Sequence, residues 1–301
     1  MRSTLSNRGK TIRTEYDSIE DLAKDAEQYV SQRYADGMRQ DLSSSGEGGS
    51  RFYGDCKTPG QAFVMAREGW TAKLAETLEI AREAVETIEA ETEQTTFQPH
   101  WDVSGGMIDM GAFLANEPEC MIEFPPAKIS RVGRVITLCA SISHSAAVSA
   151  KQLVKRGQII TALALELSRM GMNVELYADF SACSDRWGGA TTVRHQAIVL
   201  VKGANDTLDP AKILFAYAHP ATLRVLSLTA MHGLPREFRG PLSVGGSYGS
   251  PDKPAEILPA GTIYLPEVYT GEDVDAAATL RKYMQDLGLA DKPADTEEGI
   301  Y

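Results

Sequence analysis

An apolar run at 134–140, RVITLCA, leads into a helix-length segment near 147–170 that is apolar nearly all round, and then into a second strand-like run at 173–179, NVELYAD. A strand with so few polar positions needs cover on both faces. A helix without a polar side needs a sheet to bury against. The stretch 133–179 is therefore read as one α/β unit, and the fold class as α/β. Gly171 stands where helices commonly end on glycine. Between the first strand and the helix lie Ser141, Ser143 and Ser145. A loop between a strand's C-terminal end and a helix N-terminus is where open α/β sheets place ligands. The plainer alternative is that these hydroxyls cap the helix and line a tight turn.

Residues 191–202 read as a further strand, joined to 173–179 by a loop with no helix in it, so at least one strand should run antiparallel. A helix is expected from Asp209-Pro210 to about 217, a helical piece at 221–232, a Gly-, Pro- and Ser-rich loop at 239–260, a strand at 262–268 and a helix near 272–287. Upstream, Ser18 and Asp21 open a helix over 18–36. Thr58-Pro59-Gly60-Gln61 opens another, which runs to about 93 with Gly69 as a point of bending or breakage. Residues 97–124 read as strand, turn, short strand and a short helix interrupted by Pro118. Pro125-Pro126 marks a boundary. The expected organisation is a helical N-terminal region with a short β element over 1–125, packed on the core, an α/β domain over 126–290, and an acidic tail over 291–301.

A net charge of −11 disfavours binding to nucleic-acid phosphates, which needs a basic surplus. The arm with Arg2, Arg8, Lys10 and Arg13 reads as a solvated, frayed terminus. Four cysteines lie far apart without a C-x-x-C pair, and no signal peptide is seen, so a reducing cytoplasm is expected. No run approaches ~18 apolar residues, so a membrane partner is not expected. No HExxH, Walker A, GxSxG or GxGxxG pattern occurs. His100, Trp101, Asp102 and Asp109 lack a second histidine at ligand spacing. Ser143 and His144 are chain neighbours, whereas a catalytic triad is assembled by space rather than adjacency.

The order of strand, Ser-rich turn, long helix, strand, antiparallel strand, helices, loop, strand and helix resembles the von Willebrand factor A-like (vWA) fold over roughly 130–290. The resemblance implies an open, mostly parallel sheet with one antiparallel strand. It also implies a metal-ion-dependent adhesion site, where Mg²⁺ is held by D-x-S-x-S after the first strand, a later Thr and a later Asp. Ser143 and Ser145 match the two serines, Ser141 replaces the leading Asp, and Glu267 in LPEVYTG falls roughly where the later acid would sit. Thr191 or Ser247 offers the remaining hydroxyl. Mg²⁺ prefers near-octahedral oxygen ligation with one or two carboxylates. The metal candidates Ser141, Ser143, Ser145 and Glu267 therefore make a degenerate site that holds Mg²⁺ weakly unless a partner's carboxylate completes it. No catalytic or cofactor-binding residue is assigned.

Over most of its length the chain also resembles a tailed-bacteriophage family without an assigned activity, through YDSIEDLA, TPGQAFVMAREGW, SGGMIDMGAFLANEPECM and KRGQIITALALELSRMGMNVEL. That likeness implies a host-cytoplasmic or virion setting. The expected function is a non-enzymatic protein-binding or assembly module, with a ring-forming ATPase as the partner that family analogy suggests. The alternatives are a self-associating virion or scaffold component, a homo-oligomer joined through 59–93, and an enzyme of unrecognised class using His144 or Asp102 beneath the 239–250 loop.

Overall fold

The structure is a computed structural model that describes residues 2–6, 10–34, 42, 52–89, 95–97, 99–124, 126–128, 133–144, 148–185, 192–253, 257–267 and 283. Its elements in chain order begin with β1 (Arg2–Ser6), β2 (Thr11–Tyr16) and α1 (Ile19–Gln28). Next come α2 (Pro59–Glu68), α3 (Leu74–Glu89), β3 (Thr95–Phe97), β4 (His100–Asp102), β5 (Met107–Ile108), α4 (Met110–Leu114), β6 (Met121–Glu123) and β7 (Pro126–Lys128). The α/β unit follows as β8 (Val135–Ser141), α5 (Ala150–Arg169) and β9 (Asn173–Asp179), with β10 (Ala182–Cys183) and β11 (Arg194–Lys202) after it. The chain continues through α6 (Pro210–Ala218), a π-helical stretch (Thr222–Ser227) and short helical turns to β12 (Ser250–Pro251) and β13 (Ile263–Leu265).

The helix starts follow local chemistry. Ser18 Oγ accepts the Asp21 amide, and Gln61 Oε1 accepts the Thr58 amide. Asp209 Oδ1 accepts the Ala211 and Lys212 amides, with Pro210 in the first helical position. The cap of α5 is Ser149, whose Oγ accepts the Gln152 amide while Gln152 Oε1 accepts the Ser149 amide. The serines at 141 and 143 are thus not needed for that task.

One eight-stranded sheet has the order β1-β2-β11-β9-β8-β13, with β10 paired to β11 and β12 to β10. β8 has parallel neighbours on both sides, β9 and β13. β11 runs antiparallel to β9, as the helix-free connection between them requires. The expectation of a single antiparallel strand undercounts. β2 runs parallel to β11 and β12 runs antiparallel to β10, so three strands oppose β8 and the sheet is mixed. The basic N-terminal arm is likewise not a frayed end. It supplies β1 and β2, and TIRTEY buries Thr11, Ile12, Thr14 and Tyr16 on the sheet, a pattern a β-branched stretch satisfies readily.

Over its described residues, 59–89, the helix expected to run to about 93 is two helices rather than one, and 90–93 lie outside the described residues. Gly69 takes φ +84° at the break, where a Cβ would lie 2.7 Å from the Ala211 backbone, and Trp70 N donates to Ala211 O. Phe63, Ala66, Trp70, Thr77 and Ala81 point inward, leaving Val64 and Leu78 as the exposed large apolar residues of these helices among the described residues. The core is continuous from Tyr16, Leu22 and Phe63 through Leu138, Leu163 and Phe215 to Leu265, so both sides of Pro125-Pro126 contribute to it. At its centre α5 and α6 meet at Gly157, where a Cβ would lie 2.2 Å from the Ala218 Cα. The expected helix near 272–287, except residue 283, and the acidic tail lie outside the described residues.

Candidate functional site

The C-terminal ends of β8, β9 and β13 lie side by side, and the registers decide which side chains meet there. Ser141 is opposite Asp179, and Cys139 is opposite both Tyr177 and Tyr264. Directly paired residues share a face, so Cys139, Ser141, Asp179 and Tyr264 share one. The small side chains on β8 let Tyr264 reach across that strand, and its hydroxyl donates to Asp179 Oδ2 at 2.7 Å. Ser181 N donates to Asp179 Oδ1 at 2.8 Å, and Ser143 Oγ donates to Ser181 O at 3.5 Å. Ser141 is buried beside the Tyr264 hydroxyl.

Asp179 is fully buried, and burial pushes its carboxyl up to about 7 against the downward pull of its bonds from Ser181 and Tyr264. The Tyr264 phenol is raised by burial and by the carboxylate beside it.

Arg156 reaches the same end from α5. Its guanidinium donates to Ser141 O at 2.6 Å, to Leu265 O at 3.2 Å and to Pro266 O, joining β8 to β13. Burial lowers its pKa, and nearby groups, Glu267 among them, oppose that. Of the metal candidates, Ser141 and Ser143 are buried and Glu267, half-buried, follows β13 at this sheet end. Ser145 and Thr191 lie outside the described residues, and Ser247 is exposed in the turns before β12. Described residues here fit Mg²⁺ poorly. The buried Asp179 carboxyl is already taken up by the Ser181 amide and the Tyr264 hydroxyl, and a guanidinium lies against the Ser141 carbonyl, where its charge opposes a cation.

Asp179, Tyr264 and Arg156 are the residues that reading the sequence misses. Arg156 did leave a signal, since it stands between Leu153 and Ile160 on the buried stripe of α5. A charged side chain on such a stripe needs partners.

His144 donates from Nδ1 to Ile142 O at 2.7 Å, and burial and nearby Arg224 push it down to about 3, so the ring is neutral. It lines a cavity of about 20 Å³ with Arg156, Tyr217 and His219, room for about one water. Asp102 does not border it; that side chain turns back to accept the Val103 amide. An acid–base pair must reach a shared substrate, and His144 and Asp102 do not share this cavity.

Asp55, Cys56 and His219 place their ligating atoms within 4.8 Å of one another. The Ala221 amide donates to His219 Nδ1 at 3.1 Å, so Nε2 carries the ring proton and gives it to Asp55 Oδ1 at 2.6 Å. A metal on Nε2 would need the proton on Nδ1, where an N–H donor already points. Cys56 is a buried thiol pushed up to about 12 by burial, and Trp70 Nε1 donates to Asp55 Oδ2. The group acts as a clasp between the loop before α2 and the end of α6.

A wider cleft of about 440 Å³ lies between the N-termini of α1 and α6. Its Lys212 pairs with Glu20 at 2.6 Å, and Lys202 donates to Val174 O and Gly203 O. Asp206 accepts the Gly203 amide and Asp209 caps α6. Among the described residues no helix is long and apolar enough to cross a membrane.

The family described as Domain of unknown function (DUF7192) matches residues 3–291, and the chain belongs to it. No curated protein matches the chain, and neither does any solved structure.

Proposed function

For this member of a family of unknown function, we propose a non-enzymatic role: a vWA-like binding or assembly module that offers the sheet end around Ser141, Ser143 and Glu267 to a partner protein. The observation that supports it is the parallel register of β13 on β8. Leu265 lies opposite Ala140, which carries the chain towards Glu267 at the sheet end that holds the serine turn. The placing of β9 and β13 parallel on either side of β8, with β11 antiparallel beyond β9, also supports the reading, although β2 and β1 extend the sheet past β11.

Recognition in this reading does not depend on a metal. Ser141 removes the leading carboxylate, Arg156 brings a positive charge to the same place, and Mg²⁺ is held weakly at most. A ring-forming ATPase is the partner to try first, on the analogy of fold alone. The host-cytoplasmic or virion setting rests on the phage resemblance.

The test is co-elution of the purified protein with each ring-forming ATPase of its source, with Mg²⁺ and with chelator, for wild type and Glu267→Lys. A complex formed in both conditions and lost in Glu267→Lys is the expected result. No complex with any of them overturns the partner class. Calorimetric Mg²⁺ binding that Ser143→Ala abolishes overturns the metal-independent reading.

A further inference from the structure

Residues 99–124 make a small unit of their own. β4, β6 and β5 form a three-stranded sheet that shares no strand with the large one, and α4 follows β5. The registers set Trp101 opposite Ile122 and Ile122 opposite Met107, so the three share a face. On α4, Met110, Phe113 and Leu114 recur at i, i+3 and i+4, the spacing of one helical face. That face is turned to solvent, with Phe113 55% and Leu114 78% exposed. Trp101 Nε1 donates to Asp109 Oδ2 at 3.0 Å, and Asp109 Oδ1 caps α4, which ties the sheet row to the helix stripe.

Eight of the eleven exposed large apolar side chains among the described residues fall between 101 and 124. Single exposed hydrophobes are ordinary, whereas a concentration with acidic residues around it marks an interaction surface.

The charges select the occupant. Residues 99–124 hold Asp102, Asp109, Glu117, Glu119 and Glu123 and no Lys or Arg. Asp109 bonds Trp101 on this face and Glu117 and Glu119 follow α4, whereas the registers put Asp102 and Glu123 on the other side of the small sheet. A second copy meeting this face would set like charges against like, which repulsion disfavours. The acidic residues after 290 and anionic lipid carry the same wrong sign. We propose that this face docks a basic amphipathic segment of another protein. Its apolar side chains would seat on the Trp101–Met107 row and the α4 stripe, and its Lys and Arg would meet the surrounding carboxylates.

Fluorescence anisotropy tests it with three labelled peptides: an amphipathic Leu/Lys helix, its Leu/Glu counterpart, and a scrambled Leu/Lys peptide of the same composition. The intact protein should bind the first at least about tenfold more tightly than the other two. Phe113→Ser/Leu114→Ser and, separately, Glu117→Lys/Glu119→Lys should each weaken that binding by about tenfold or more. The first variant changes only exposed positions and should melt like wild type. Equal binding of the Leu/Lys peptide by wild type and both variants overturns the proposal. A wild-type dimer in sedimentation equilibrium that Phe113→Ser/Leu114→Ser disperses overturns it in favour of a second copy. Binding to neutral phosphatidylcholine vesicles, lost in the same variant, overturns it in favour of a membrane.

Discussion

Asp179 holds a proton near neutral pH because burial penalises its charge more than Ser181 and Tyr264 stabilise it. Its folded pKa, about 7, lies above the usual carboxylate value of 3.8. Between those values the folded chain binds more protons than the unfolded one, so this group's contribution is complete at low pH and is lost as pH rises through about 7. His144 and His195, pushed down to about 3 and about 4 by burial, act in the opposite sense and favour the fold as pH rises towards 6.5. Comparing Asp179→Asn with wild type isolates the carboxyl. Denaturant titrations should show the variant gaining stability relative to wild type between pH 5 and pH 8, by up to about 3 kcal/mol. A difference that does not change with pH would show that Asp179 is ionised throughout. The serines at this site were legible from sequence because a strand followed by hydroxyls has a known place in α/β sheets. Asp179 and Tyr264 were not, because 85 positions separate them and only the registers of β9 and β13 on β8 bring them together.

Single elements were easiest to read where capping chemistry is local, as at Ser18, at Thr58 with Gln61, and at Asp209-Pro210. They were harder to read where a distant neighbour decides. Gly69 signals a weak point, but the break is completed by Ala211, which accepts the Trp70 amide from another part of the chain. Gly157 gave no signal at all, since a glycine in a long apolar helix explains itself only once α6 lies against it. Gly157→Ala should lower stability by about 2 kcal/mol in denaturant titration, the clash with Ala218 outweighing the roughly 1 kcal/mol that alanine adds to a helix. Gly60→Ala in α2 is the control, because its Cβ would meet only Thr58 Oγ1 at 3.8 Å, and it should be neutral or mildly stabilising. Equal effects at the two positions would mean that α5 and α6 do not touch there.

Across the whole molecule, the central strands were foreseeable and the edge was not. β2 covers β11 from Arg194 to Val199 and buries His195, whose Nε2 meets Thr14 Oγ1 at 3.2 Å. Deleting residues 1–16 should uncover that ladder edge and the core around Phe180, giving an aggregating or low-melting protein. A deletion variant that stays soluble with the wild-type melting temperature would show that the sheet does not need β2. The same pairing sets a schedule for the chain at birth. Thr14 and His195 lie 181 positions apart, and ribosomes add roughly 5–20 residues per second, so β2 waits roughly 10–40 s before its partner strand is made. Through that interval the hairpin of β1 and β2 waits without its sheet, with Ile12 and Tyr16 uncovered. Contacts this distant also form late, because chain closure must precede them. β2 is thus among the last strands to settle, and Ile12 and Tyr16 stay open to capture or aggregation until it does.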